Sequence, residues 1–452
     1  MIYSLQVRVV TAQVVGTARV DSAATGSGTT VLKGVVWQAP PSFDAAERDL
    51  MEMRESGVAA VRTGIIRNHR LLSLADTIGL TLYIDLPIVR MPASRLRDTL
   101  NYASALLDTV AGLAQIHSSI QAIGLARYAD TSDSTSCAYF DALDRQANEI
   151  MPVHVQTYYL TRFLDEDRCS GDVDFVLADM RDMENPVRRL RTSQIAGSTI
   201  GIGALGVWVR PDTVGGLDVP GSLESQARYL ENALPILLSD TLSIDLIAVF
   251  VHRWRDARFE KPVSTRGTGD PFVDRYGLRS VEDVPRPAME VVEGIYTGRQ
   301  SVFAFRGGLP AGAGARWPIV LGWTVIVMLG TFYALSPRFR HMAPRYFKAH
   351  FFFRESVREG RDVLFGASTV LLTALSAVAG MVFATVVLAA QGTDAFLTGV
   401  TWLPPALQNV VLTLLENPLV MVLLAGCIYA VSTLVWTTVL SLFSRRRYRI
   451  TP

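Results

Sequence analysis

The chain has 452 residues, a formal net charge of +1 and an isoelectric point near 7.8. Its length allows two or three domains, and its near-neutral charge argues against a nucleic-acid partner. A mean hydropathy of +0.26 is high for a water-soluble chain, and the apolar excess lies mostly after residue 316, which points to membrane spans rather than to a greasy core.

Residues 1–30 stand apart. MIYSLQVRVV has no basic stretch followed by an apolar one, so it does not read as a signal peptide. An exported barrel would then need a longer chain start, or a first span that acts as the export signal. YSLQVRVVTAQVVGTARV alternates like antiparallel strand and DSAATGSGT reads as a loop. Thirty residues cannot build a sandwich, so 1–30 is expected to be the remnant of a β-domain or a strand cap.

From residue 31 the pattern changes. Short apolar runs alternate with longer amphipathic stretches: VLKGVVW (31–37) then a helix at 43–57, AAVRTG (59–64) then a helix through 71–79, TLYIDLPI (81–88) then a helix near 93–117. IQAIGLAR (120–127) leads to a helix near 137–149, and PVHVQTYYL (152–160) follows. DFVLADM (174–180) precedes a helix at 185–195, STIGIGALG (198–206) one at 222–239, and SIDLIAVFVHRW (243–254) a last one near 285–297. Nearly continuous apolar strands suit a parallel sheet covered on both faces. Eight units over 31–300 predict an α/β fold, a (β/α)8 TIM barrel. A doubly wound open sheet is the alternative, and no Gly-rich loop after the first strand favours it.

Residues 301–316 contain RGGLPAGAGAR and read as a Gly/Ala/Pro linker. An α-helical membrane domain follows at 317–452, with three transmembrane helices at about 317–335, 363–390 and 417–443. Each is close to the ~20 apolar residues a crossing requires. The apolar stretch 402–415 is short, begins WLPP, and reads as an interfacial or re-entrant helix. Arginines and a lysine crowd the loop 336–362 and arginines the tail 445–449, whereas 391–416 has no Lys or Arg. The positive-inside rule then puts loop and C-terminus in the cytoplasm and the barrel outside, in a multi-pass protein of the inner membrane. The aromatic and cationic run PRYFKAHFFFRESVREGRD suits the inner leaflet, or is simply a positive-inside loop. Cys137 and Cys169 can pair in an oxidising compartment, while Cys427 lies in an apolar run.

Several segments resemble a known family. LKGVVWQ, then DLMEMRESGVAAVRTG, then LADTIGLTLYIDLPI follow the order of the first three barrel strands of glycoside hydrolase family 2, the β-galactosidase and β-glucuronidase group. PDTVGGLDVPGSLESQARYL and YGLRSVEDVPRPAMEVV resemble its segments after strands seven and eight. The likeness covers about 31–297. It implies a sugar-binding mouth at the strand C-termini, with Arg62 in the place of a strand-two arginine beside the nucleophile. It also implies a pair of glutamates at the ends of strands four and seven, since retaining hydrolysis needs two carboxylates about 5–5.5 Å apart. Here IGLARYAD puts Arg127 and Tyr128 at the first place, and Ala204-Leu205-Gly206 stands at the second. Alanine cannot form a glycosyl ester, and tyrosine, with an ordinary pKa near 10, is a poor proton donor at neutral pH.

No catalytic residue of the standard kind is therefore expected. The fallback carboxylates are Asp130 and Asp212, beside Asp85, Asp133, Asp179, Asp182 and Asp256 at other strand ends, all of which equally suit helix and turn caps. The expected ligand-binding set is Trp37, Arg62, Asp85, Arg127, Tyr128, Tyr158, Asp179, Trp208 and Trp254, with His154, Arg210 and Arg253 nearby. Flat rings suit sugar faces and arginines suit hydroxyl or acidic groups, while ordinary packing is the bland reading of each. No metal site and no cofactor is expected: the His, Cys and Asp spacing is unconvincing, and no Ser-His-Asp set is recognisable. The expected partners are a glycan or glycoconjugate, the lipid bilayer and membrane proteins. The expectation is a membrane-anchored, glycoside-hydrolase-like pseudoenzyme that binds carbohydrate. An active hydrolase with relocated carboxylates and a structural subunit of a membrane complex are the alternatives.

Overall fold

The computed structural model describes residues 31–162, 164–192, 199–210, 215–239, 244, 246–260, 262–263, 270–308, 317–341, 365–391 and 393–447. The expected β-segment 1–30, the second half of the linker and most of the basic loop lie outside these residues, as does Asp212. The chain divides into two compact units, one holding the strands and the other the apolar helices.

Eight strands form a closed parallel barrel: β1 (Leu32–Val36), β2 (Ala60–Gly64), β3 (Thr81–Asp85), β4 (Ile120–Arg127), β5 (Gln156–Thr161), β6 (Phe175–Asp179), β7 (Ile200–Leu205) and β8 (Leu246–His252). Pairing of β1 with β8, from Leu32 beside Ala248 to Val36 beside His252, closes it and excludes the open sheet. Helices α1 (Phe43–Glu55), α2 (His69–Ile78), α3 (Ala93–Leu96), α4 (Leu100–Ala114), α5 (Cys137–Ile150), α6 (Pro186–Thr192), α7 (Leu223–Leu237) and α8 (Pro287–Thr297) follow the strands they cover. The helix expected over 93–117 is divided by a 3-10 turn at Arg97–Thr99. Between β5 and β6 the described chain makes only a 3-10 turn, Ser170–Asp172. There a disulfide joins Cys169 to Cys137 at the start of α5, with Cα atoms 4.8 Å apart.

The period of two along each strand sorts the side chains into two shells. Val35, Val61, Leu82, Ile84, Val249 and Val251 face outward, against Leu50, Leu72 and Leu234 of the helices. Val36, Ala60, Tyr83, Phe175, Leu177, Ala248 and Phe250 fill the lumen. Tyr83 meets Phe250 edge-on at 4.9 Å, and Tyr158 stacks on Phe175 at 5.2 Å. The lumen is thus a packed core rather than a channel. One inward step further, toward the strand C-termini, the series ends on ionisable groups. Ala60 leads to Arg62, Tyr83 to Asp85, Leu177 to Asp179 and Phe250 to His252.

The second unit holds α9 (Trp317–Leu335), α10 (Phe365–Ala390), α11 (Asp394–Trp402), α12 (Pro405–Glu416) and α13 (Pro418–Arg447). Three segments, Trp317–Leu335, Ser368–Ala390 and Pro418–Val439, are long and apolar enough to cross a membrane. The expected short apolar helix over 402–415 is α12, and a further short helix, α11, precedes it, parted from it at Leu403-Pro404. At 9 and 12 residues, neither reaches across a bilayer core of about 30 Å. Helices α10 and α13 meet through small residues. A Cβ at Gly380 would lie 2.3 Å from the Val422 carbonyl oxygen, the close backbone approach that small residues allow between apolar helices.

Candidate binding site at the barrel mouth

Arg62 anchors the floor of the mouth. Its guanidinium is 1% exposed, and Nε donates to Asp85 Oδ2 at 3.0 Å. Nη1 donates to the Gly203 carbonyl, where a Cβ would lie 2.8 Å from that nitrogen, so only glycine admits the arginine there. The second Asp85 oxygen accepts from the Tyr158 hydroxyl at 2.7 Å. Burial first, then the Asp85 charge, push the Tyr158 phenol well above its ordinary value, so it stays a neutral donor. Arg127, at the end of β4, holds its Nε 3.8 Å from Asp85 Oδ2.

A second cluster surrounds Asp179. Arg162 Nε donates to Oδ2 at 2.7 Å, while Arg181 donates through Nε at 2.9 Å and Nη2 at 3.0 Å. Burial opposes ionisation of Asp179, but the Arg181 and Arg162 guanidiniums outweigh it and hold the carboxyl well below the usual range. Arg181 also donates to the Tyr128 hydroxyl at 2.7 Å, and it lies 5.3 Å and 5.4 Å from the Tyr128 and Tyr276 rings. Both distances suit cation–π contact. Arg90 covers the Tyr128 ring at 5.6 Å, and Tyr128 takes a left-handed φ of 59°.

His252 closes the ring of groups. Its Nε2 lies 3.2 Å from Asp274 Oδ2 and 3.4 Å from Arg181 Nη1. Burial first, then the Arg181 charge, bring its pKa down to about 4, so the imidazole is neutral at pH 7. A proton on Nε2 serves Asp274, and the other tautomer accepts from Arg181. In both, the buried Nδ1 has no hydrogen-bond partner. Arg253 donates to Asp274 at 3.0 Å and to Gln38 at 2.9 Å. Burial opposes ionisation of Asp274 too, but the His252 hydrogen bond and the charges of Arg253 and Arg181 keep it well below the carboxylate range. Asp182 accepts from the Tyr276 hydroxyl and from the Trp208 backbone N–H at 2.9 Å.

The structure therefore gathers Arg62, Asp85, Arg127, Tyr128, Tyr158 and Asp179, with Trp208 at the border. Two expected ligand residues lie elsewhere. Trp37 and Trp254 are 2% and 0% exposed and belong to the shell between strands and helices. Trp37 shares the outward parity of Val35, and its indole donates to Asp49 of α1 at 2.9 Å. Neither ring offers a face to a sugar. His154 precedes β5 at the opposite end of the barrel and is exposed. Asp130 accepts from Ser132 N–H and Oγ, and Asp133 from Thr135 N–H, so both cap turns. Asp256 is bound to Arg286. Ala204 is fully buried in β7. The sequence reading missed Arg181, His252, Asp274 and Tyr276. His252 was visible as the next inward step after Ala248 and Phe250, whereas Asp274 and Tyr276 arrive from a stretch without period. Among the described residues the one grouping with metal-like closeness is Cys137, Cys169 and Asp172. Its two sulfurs are already bonded to each other.

Chemically, the mouth is a lattice of carboxylates and guanidiniums with phenols between them. It can bind and orient polar groups, and Asp179 and Asp274, held well below the carboxylate range by their arginines, hold no proton to donate at neutral pH. Neither a protein-family model nor a curated protein matches the chain. Solved structures do. A family 2 β-galacturonidase from Eisenbergiella tayi bound to galacturonate aligns at 16% identity and a TM-score of 0.51, over 61% of this chain and 52% of that one. A β-glucuronidase from an uncultured Clostridium species aligns at 16% and 0.51 over 60% and 50%. The Ruminococcus gnavus β-glucuronidase in complex with uronic isofagomine aligns at 14% and 0.52 over 61% and 52%. The barrel has a glycoside-hydrolase-like fold. The chain spans about half the length of those glycosidases, and at this identity the likeness concerns the fold alone.

Proposed function

We propose that this protein is a membrane-anchored binder of glycans whose glycoside-hydrolase-like barrel faces away from the cytoplasm and does not perform standard retaining hydrolysis. The observation that carries the reading is the commitment of Asp85, Asp179 and Asp274 to arginines. A retaining mechanism needs one carboxyl that keeps its proton until the leaving oxygen takes it, and a second that is free to attack. Arginine partners work against the first role, since they keep a carboxyl ionised, and the paired oxygens are less free for the second. Tyr128 and Ala204, at the places where the family resemblance expects glutamates, point the same way. The Tyr128 phenol is pushed up by burial first and then by Asp179, with Arg181 opposing, so it offers neither a nucleophilic phenolate nor an acid of useful strength.

Two independent features support the topology. The basic loop and tail lie on one side of a three-span arrangement. The Cys137–Cys169 disulfide belongs to an oxidising compartment. Thiol alkylation of intact cells' membranes should leave both cysteines unlabelled until a reductant is added; labelling without reductant would oppose the topology.

The full chain in detergent, tested against aryl glycosides and a glycan array, separates the readings. Binding without turnover supports this one. Turnover that disappears in Asp130→Asn or Asp212→Asn would establish an enzyme with relocated carboxylates. Neither binding nor turnover would leave the structural-subunit reading, in which the barrel contacts only protein.

A further inference from the structure

Away from the mouth, two histidines meet. His69 opens α2 and is exposed, and Asp76 lies two turns along on the same face of that helix. His117 precedes β4, at the end of the barrel opposite the mouth, and is 4% exposed. Its Nδ1 lies 2.8 Å from Asp76 Oδ2, and the Ser119 backbone N–H donates to Asp76 Oδ1 at 2.7 Å. His117 Nε2 lies 3.1 Å from His69 Nδ1. Neither imidazole has a part in the glycan-binding reading.

The order Asp76, His117, His69 fixes which nitrogens are available. Burial opposes ionisation of Asp76, but hydrogen bonds from His117 and Ser119 outweigh it and hold its carboxyl below the ordinary value. An ionised carboxylate only accepts, so the proton of a neutral His117 ring sits on Nδ1 and the Nε2 lone pair points at His69. A carboxylate on the far nitrogen is the support that a metal-ligating imidazole has. The spacing agrees. Two bonds of about 2.0–2.1 Å to one ion set their nitrogens about 2.9 Å apart at a right angle and about 3.4 Å apart at the tetrahedral angle. The rings meet nearly end to end, with centroids 5.3 Å apart, and a turn of the exposed His69 ring lets both lone pairs converge beside the line between them. The two histidines form a pair and not a set of three. Among the described residues no third imidazole, thiol or carboxylate lies within ligating closeness of both nitrogens, so water completes the shell.

We propose that His69 Nδ1 and His117 Nε2 bind a late first-row divalent cation, Cu2+, Ni2+ or Zn2+, with Asp76 positioning His117 from behind. Imidazole nitrogen suits these ions, whereas Mg2+ and Ca2+ prefer oxygen. On binding, the neutral His69 ring moves its proton from Nδ1 to Nε2, and His117 keeps its own on Nδ1. No net proton is released from the neutral pair. The bound ion ties the start of α2 to the entry of β4.

The test uses the full chain in detergent, without a histidine tag and cleared of metal by a chelator. Calorimetric titration is expected to show one tight equivalent for at least one of Zn2+, Ni2+ and Cu2+, and none for Mg2+. That equivalent should disappear in His69→Ala, an exposed position whose loss leaves the midpoint in chelator close to that of the parent. Asp76→Asn should weaken it about 10- to 100-fold. The Cu2+ electron-spin spectrum should carry two imidazole nitrogens in the parent and at most one in His69→Ala. Added ion should raise the thermal midpoint of the parent and not of His69→Ala. An equivalent that survives His69→Ala belongs to an adventitious surface histidine such as the exposed His154 and overturns the inference. So does the absence of any bound equivalent. No arm of the test involves a sugar, so either failure leaves the glycan reading where it stands.

Discussion

In the barrel unit Leu177, Phe250 and Tyr158 are fully buried, whereas in the helical unit Leu423 and Val386 are 68% and 61% exposed. The helical unit buries small residues instead, with Ala384 at 0% and Gly380 against the Val422 backbone. Water drives the barrel's large side chains inward. Lipid tails are as apolar as leucine, so packing between apolar helices depends on close backbone approach rather than on hiding large side chains. The ionic groups follow the same logic. The barrel concentrates them in the last inward layer of its lumen, around Asp179 and Asp85, and the three apolar segments of the helical unit have almost none.

The comparison is broken most forcefully by emptying the ionic layer. Asp179→Ala leaves Arg162 and Arg181 without their shared carboxylate. Removing one partner of a buried pair costs about 3–5 kcal/mol. A fall of roughly 10 °C in the barrel's thermal midpoint is expected, and an unchanged midpoint would show that the lattice is not structural.

Acid attacks the same layer through His252. Its folded value of about 4 lies below the ordinary 6.5. The unfolded chain therefore binds more protons in that interval. The contribution to stability is fully present above about pH 6.5 and is lost as pH falls toward 4. It amounts to about 3 kcal/mol. Denaturant titrations at pH 7 and pH 4.5 should show the loss, and His252→Gln should flatten it.

In the helical unit the sensitive position is a small one. Gly380→Leu drives a side chain into the Val422 carbonyl, a clash of the kind that costs about 1–3 kcal/mol. The midpoint of SDS-induced loss of helix contact should fall accordingly. Leu423→Val, at a position 68% exposed, should change the same midpoint by less than about 0.5 kcal/mol. A large effect there would mean that protein rather than lipid covers that face.

The alternation of strand and helix in 31–297 carried the fold because each strand had to bury both faces. Asp85 and Asp179 were legible because each ends an apolar strand, and Arg62 because it interrupts one, places where a charge has no structural reason to be unless something faces it. Trp37 and Trp254 misled because proximity to a strand end does not reveal parity, and Val35 already showed which way Trp37 points. Arg181 and Asp274 were invisible for another reason. Their places depend on turns after β6 and β8, where Asp182 at a φ of 56° redirects the chain and no periodic signal survives. Cys137 and Cys169 could be paired only as a possibility, because spacing along the chain says nothing about the distance across two loops.

Tyr128 repays a last look. At a φ of 59° a side chain with a Cβ is less comfortable than glycine by about 1 kcal/mol, yet the ring is gripped from Arg90 and from Arg181, which also donates to its hydroxyl. The contacts that hold this angle are all made by the protein itself. A ligand bound there as proposed would find the ring already placed, so free and occupied forms should superimpose closely and association should be limited by encounter rather than by remodelling.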